Sequence, residues 1–338
     1  MVQVYEAKKL FLVFIFMIKN QEIIFATAGV SGQKVKLGNH GAPFQNIETL
    51  QFSPSAEDFY ERYARQSRPV LIKNAVRKWP AFYKWPNLTY MHRYYGNELF
   101  NVELRKKFQT SFPIRKTLSL SKFIDEFEDS DIYLDSLFSK DSYMLNDVHL
   151  PTPLDCAHRS IAIDNLNLLI SSGNTSSAFH QDGYENLLSV LSGVKEVILY
   201  NNNYTRAFNA DEYKIAAGVS DIDPEGIDLD EHIVFAKTPY QIAKLQPGDM
   251  LYIPKYWWHH VRSYSNPNIA VGMWFDIFNF DKEMESQYLD DTEQVVKTTE
   301  AFIELLDKEP LKIHCLKNVN RTSFFSISPF VKRRNICA

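Results

Sequence analysis

Cysteine is scarce in this 338-residue chain: only Cys156, Cys315 and Cys337 are present. Three scattered thiols build neither a four-cysteine zinc module nor a disulfide framework, so a zinc-finger type of reader is not encoded here. Long apolar runs are also missing. The run Leu10–Ile18 has nine residues, too few to cross a bilayer. Positive charge is not in surplus either. Lys and Arg number 37 against 41 Asp and Glu, for a net charge of −4 and a pI near 6.2. That excludes a surface that binds nucleic acid throughout and leaves only local basic patches such as Lys332-Arg-Arg334. There is no internal repeat and no low-complexity tract. Aromatic side chains, by contrast, are plentiful. With 24 Phe and 18 Tyr in a composition that is 45% hydrophobic, the chain can bury a sizeable, β-rich core in one large domain or two ordinary ones.

Lys8-Lys9, the apolar run and Ala26-Thr-Ala28 together read as a signal peptide over residues 1–28. This leads to the secretory pathway and the endoplasmic reticulum lumen; the alternative is an apolar extension on a cytoplasmic or nuclear protein. Sequons start at Asn87, Asn174, Asn203 and Asn320. Residues 29–51 are polar and Gly-rich, as in a linker. A helix should follow, with Ser53 as its cap and Pro54, Glu57 and Asp58 in its first turn. Arg68–Lys73 reads as a strand, and Leu88–Tyr95 and Leu118–Phe127 as helices.

From about Ser160 the pattern becomes one of short strands: Ala162–Ile170, Glu185–Leu191, Glu196–Tyr200, Ile233–Phe235, Gln241–Leu245, Met250–Pro254 and Ile269–Phe275. Gly-containing turns such as Gln246-Pro-Gly-Asp249 separate them, which predicts a sandwich or barrel. A helical segment at 281–309, centred on Thr292–Leu306, offers a homodimer face. A basic, irregular tail occupies 310–338.

Two segments carry the chemistry. In His180-Gln-Asp182 the potential ligands sit at i and i+2, on one side of an extended chain. In Tyr256-Trp-Trp-His259-His260, 79 residues beyond His180, a further imidazole follows the strand Met250–Pro254. Two imidazoles and one carboxylate hold ferrous iron while leaving coordination positions open. Alternation lets only one of His259 and His260 point inward, and periodicity does not choose between them. Tyr256, Trp257, Trp258, Tyr252 and Trp274 read as packing residues.

His180-x-Asp182, Asn186, Gly193-x-Lys195 and Leu245-x-Pro-Gly-Asp-x-Leu-Tyr-Ile-Pro-x-x-Trp-Trp-His-His-Val resemble the JmjC, or cupin-like, oxygenases that use Fe(II), 2-oxoglutarate and O2. The resemblance implies a mainly β domain at 52–280 with flanking helices, built on a double-stranded β-helix (a jelly roll) over about 160–280. It implies His180, Asp182 and His259 as metal ligands, with His260 behind them. It also implies Lys195, helped by Ser177 and Asn186, as the binding set for 2-oxoglutarate. The reaction would be hydroxylation of a side chain in a protein or peptide substrate, with RNA disfavoured by the overall acidity. The alternatives are a lysine demethylase and a non-catalytic cupin-like binding protein. One departure stands out. Hydroxylases of this type often carry Asn two residues before the Trp of the last core strand, and this chain has Gly272.

Overall fold

The computed structural model describes residues 34–105, 114–154, 160–208 and 218–278. The segment expected to be a signal peptide, the helix expected at Thr292–Leu306 and the basic tail lie outside these residues. Among the described residues, the strands in chain order are β1 Lys34–Val35, β2 Phe44–Asn46, β3 Thr49–Leu50, β4 Val70–Ile72, β5 Leu99–Glu103, β6 Arg115–Ser119 and β7 Tyr133–Leu137. They continue with β8 Ser160–Ser171, β9 Thr175–Ser176, β10 Glu185–Tyr200, β11 Ile227–Asp228, β12 Tyr240–Leu245, β13 Met250–Ile253 and β14 Trp258–Phe278. The short helices are α1 Ala56–Phe59, extended by a π-turn at Tyr60–Ala64, then α2 Pro80–Lys84, α3 Leu88–Tyr95, α4 Leu120–Glu126 and α5 Ile233–Lys237. None is long and apolar enough to cross a membrane.

β10 and β14 run antiparallel from Glu185↔Phe275 to Tyr200↔Trp258. Their register shifts twice between Val190 and Val194. Gly193 lies there at φ 75°, and a Cβ on it would come within 2.6 Å of Asn268 Nδ2. The two strands expected at Glu185–Leu191 and Glu196–Tyr200 are therefore one strand bent by a bulge. The bend lets the first half of β10 pair with β13 and the second half with β12. Likewise β14 pairs first with β9 and then with β8. Two bent strands shared between two sheets make the double-stranded β-helix. β7, β5 and β6 extend it at one edge, and β4 and β3 at the other.

Alternation along the strands divides the core. Leu187, Leu191, Met250, Tyr252, Val271, Met273 and Phe275 pack outward against α1–α4. Leu188, Val190, Val197, Leu199, Leu251 and Ala270 face the opposite way, into the space between the sheets. Phe179, Tyr200, Phe208, Phe235, Tyr240 and Trp258 form an aromatic cluster at the far end. Within the helical layer, buried Asp147 accepts hydrogen bonds from Trp85 Nε1 (3.1 Å) and Tyr95 OH (2.6 Å).

Several local expectations shift. The cap of α1 is Ser55, whose Oγ accepts from Asp58 N–H at 3.1 Å; Ser53 lies two residues too early. Residues 115–119 form β6, and α4 starts at Leu120 behind the Ser119 cap. Ile233–Phe235 is helical. Asp228 Oδ1 accepts from the N–H groups of Asp230 and Glu231, winding the chain into a turn before α5. A three-residue apolar run carries no period that could have distinguished the two states. Residues 34–51, expected to be linker, pair into the fold: β2 lies parallel to β12, β3 lies parallel to β4, and Leu37, Ala42 and Ile47 are buried.

Candidate metal centre

Backbone hydrogen bonds bring the two sequence segments together. His180 N–H donates to the His259 carbonyl (3.0 Å) and His259 N–H to the His180 carbonyl (2.7 Å). Ser177 N–H reaches the Val261 carbonyl (2.9 Å), and Tyr256 N–H reaches the Asp182 carbonyl (2.7 Å). Residues 177–182 thus run antiparallel to 256–261, and the sequence separation disappears in a bridge.

The alternation that left two histidines in competition now decides between them. His259 faces the metal side; His260 faces away, fully buried, with Nδ1 3.0 Å from the Ser177 carbonyl and Nε2 3.2 Å from Glu225 Oε1. Both of its nitrogens are engaged, so neither is free to ligate. One ligand atom each from His180, Asp182 and His259 lies within 4.8 Å of the other two. His180 Nε2 is 3.9 Å from Asp182 Oδ1, and His259 Nε2 is 3.7 Å from Asp182 Oδ2. His180 Nδ1 donates to the Ala178 carbonyl (3.0 Å) and His259 Nδ1 to the Trp257 carbonyl (2.9 Å). These bonds fix the tautomer of each ring and leave both Nε2 atoms unprotonated on the side where Asp182 lies. Burial, with His180 beside it, pulls the His259 imidazole down to about 4, so it is neutral near pH 7. The donor set is two imidazole nitrogens and one carboxylate, with His180 and Asp182 only half-buried, and it leaves an open face that suits a divalent metal such as Fe(II).

Lys195 lies beyond the bulge of β10 and is 1% exposed. Its Nζ donates to Ser263 Oγ at 2.7 Å. Burial lowers its ammonium from 10.5 to about 8. A buried ammonium with a single hydroxyl partner suits the remote carboxylate of a dicarboxylic acid. Asn186 is also buried, and its Oδ1 has no hydrogen-bond partner among the described residues. Ser177 is hydrogen-bonded locally. Its hydroxyl accepts from Val261 N–H (2.9 Å) and donates to the Ala178 carbonyl (2.8 Å), so it braces the bridge. The hydroxyl beside Lys195 belongs to Ser263, which pattern reading did not single out. Cross-strand pairing of Lys195 with Ser263 was the missing signal.

Gly272 pairs with Leu188 on one side and Asn167 on the other. A Cβ there would lie 3.6 Å from Asn186 Oδ1 and 3.8 Å from Asn167 Cβ, which are ordinary contacts. Two amides therefore flank the position where this chain has no side chain. Trp257 and Trp258 are packing residues: their indole N–H groups donate to Ser67 Oγ and Thr205 Oγ1, both at 3.1 Å. Trp274 stacks on Tyr184 with ring planes 5° apart.

The profile of the Cupin-like domain family matches residues 56–281. Among similar proteins, Jumonji C domain-containing protein 5 of Drosophila melanogaster is 28% identical over 236 residues, covering 66% of this chain and 58% of that protein. Lysine-specific demethylase JMJ30 of Arabidopsis thaliana is 27% identical, covering 65% and 53%. The bifunctional peptidase and (3S)-lysyl hydroxylase JMJD7 of Homo sapiens is 24% identical, covering 68% and 84%. The chain spans about half the length of the first two relatives. The family profile covers the bent-strand core and both ligand-bearing segments, and this chain belongs to the cupin-like, Jumonji C family.

Proposed function

We propose that the chain is an Fe(II)- and 2-oxoglutarate-dependent dioxygenase that hydroxylates a protein side chain. The observation that carries this reading is the convergence of His180, Asp182 and His259, with both imidazoles held in the tautomer that ligates through Nε2. These three residues would hold the metal. Lys195 with Ser263 would bind the far carboxylate of the cosubstrate, and Asn186 would line its pocket. Bound iron with 2-oxoglutarate supplies the activation of O2. The protein's part is position and exclusion of water. The apolar residues Leu188, Val197, Leu199 and Leu251 line the space between the sheets, and an ion pair of Lys195 with the cosubstrate carboxylate would gain strength there.

The names of several relatives favour a second reading, lysine demethylation by the same iron chemistry applied to an N-methyl group. Mass spectrometry of reacted peptides distinguishes the two. Hydroxylation adds one oxygen; demethylation releases formaldehyde. Consumption of 2-oxoglutarate coupled to either product is expected, and neither with any substrate pool in the presence of iron and ascorbate overturns both. Metal binding separates the two histidines. His259→Ala should weaken Mn(II) binding at least about 10-fold, while His260→Ala should leave it nearly unchanged, read by electron paramagnetic resonance. We also propose secretory entry through the N-terminal segment; cleavage near Ala28 and glycosylation of a sequon would be its signature.

A further inference from the structure

We propose that Gly218 is a positioning residue of the metal centre, and that residues 34–37 hold its segment in place. The proposal rests on the metal-site reading above and adds a third backbone segment to it. Residues 179–182, which carry two of the ligands, are paired on both sides. On one side they meet 256–261. On the other they meet 218–220: Gln181 N–H donates to the Gly218 carbonyl (2.8 Å), Ser220 N–H donates to the Phe179 carbonyl (2.9 Å), and His180 bridges Val219. Alternation of the backbone groups makes this possible. The N–H and carbonyl of His180 serve His259, while the Phe179 carbonyl and the Gln181 N–H serve 218–220. The ligand pair is thus held in the middle of three extended segments, not on a free edge.

Gly218 is where this third segment comes closest to the backbone of the ligands. It sits at φ 82°, and a Cβ on it would come within 2.7 Å of the Gln181 carbonyl oxygen. That oxygen belongs to the residue between His180 and Asp182, and a peptide carbonyl cannot swing aside as the end of a flexible side chain can. A side chain at position 218 therefore has to displace the two ligands together. Gly183 is the contrast. It follows Asp182 directly, yet a Cβ there would meet only Tyr256 Cε1, at 3.8 Å, an ordinary contact. What keeps 218–225 against the ligands comes from residues 34–37. Leu37 N–H donates to the Pro224 carbonyl (2.8 Å), β1 pairs with β11 through Val35↔Ile227, and Lys36 pairs with Glu225 (3.2 Å). Leu37 and Ile222 are both buried in the aromatic cluster. The exposed Lys36 contributes little by itself, so the buried Leu37 is the anchor.

The test uses the full chain and Mn(II), with electron paramagnetic resonance reading both the affinity and the line shape that reports ligand geometry. Wild type is titrated first. No Mn(II) binding there is failure of the metal-site reading, and it removes this proposal with it. Gly218→Ala should weaken Mn(II) binding at least about 10-fold, the scale of a lost outer partner of a metal ligand, and should alter the line shape. Gly183→Ala, next to a ligand in sequence, should change neither. Leu37→Ala should weaken binding more than about 3-fold. Leu120→Ala, the same deletion at an equally buried position in α4, should leave binding unchanged and so separates positioning from general loss of stability. If Gly218→Ala does not fold, the comparison of Leu37→Ala with Leu120→Ala decides. With wild type binding Mn(II), an unchanged affinity and line shape in folded Gly218→Ala, an unchanged affinity in Leu37→Ala, or an equal loss in Leu120→Ala overturns this proposal alone.

Discussion

Lys195 shows how one buried side chain joins stability to ligand binding. Its ammonium is held near pKa 8 in the fold against 10.5 when solvated, so near pH 7 the fold carries a charged group that it disfavours. The unfolded chain binds the extra proton between those values, so stability rises as pH increases from about 8 to 10.5. Lys195→Met should therefore stabilise the ligand-free protein, by on the order of 1–3 kcal/mol after the loss of the Ser263 bond. The same variant should lose the thermal stabilisation that 2-oxoglutarate gives the metal-loaded wild type. Thermal melts across pH 6–10, with and without cosubstrate, read both effects. A destabilised variant that still responds to 2-oxoglutarate would contradict the assignment. The sequence made Lys195 visible through its offset from His180. It hid Ser263, because a serine 68 positions away has no motif until the strands pair.

At the scale of elements, the bulge in β10 decides which residues face the site. Before it, Asn186 and Leu188 face inward; after the extra residues, Lys195, Val197 and Leu199 do. Without the shift near Gly193, the alternation would turn Lys195 to the outer face. Gly193→Ala meets both a left-handed backbone and a Cβ contact of 2.6 Å with Asn268 Nδ2. It should cost more than about 1 kcal/mol in chemical denaturation, and it should weaken 2-oxoglutarate binding beyond what the lost stability explains. Capping shows the limits of local reading in the other direction. Ser53 and Ser55 are equally good caps by type, and only the backbone turn at Ser55 picks one. The segment of α5 reads as a strand by sequence because three apolar residues fit either period, and the Asp228 turn that winds it lies upstream.

For the whole molecule, Glu225 ties distant parts of the chain across the back of the metal-binding strand. It accepts from His260 Nε2 (3.2 Å) and Arg262 Nε (2.7 Å), and it pairs with Lys36 (3.2 Å). Arg262 continues to the carbonyls of Leu37 (2.9 Å) and Pro224 (3.3 Å). The His260 bond foremost, with Arg262 behind it, holds the Glu225 carboxyl well below its ordinary 4.5. Its stabilisation is fully present above that value and is lost progressively as the pH falls below it, toward the lower value of the folded state. Glu225→Gln should cost on the order of 1–3 kcal/mol at pH 7, and the gap from wild type should narrow as unfolding is measured from pH 5 downward. A gap that stays constant with pH would show that the carboxylate charge is not what stabilises the clasp.

The sequence by itself determined the ligand types, because an i, i+2 pair on an extended chain and a strand ending in His-His admit few chemistries. It also determined the β-rich class, because short apolar runs between Gly-containing turns are local signals. Tertiary structure decided what depends on facing: His259 over His260, the pairing of Ser263 with Lys195, and the amides of Asn186 and Asn167 beside Gly272. The physical reason is the two-residue period of a strand. It says that neighbours point apart, but only pairing and bulges say which side is inside.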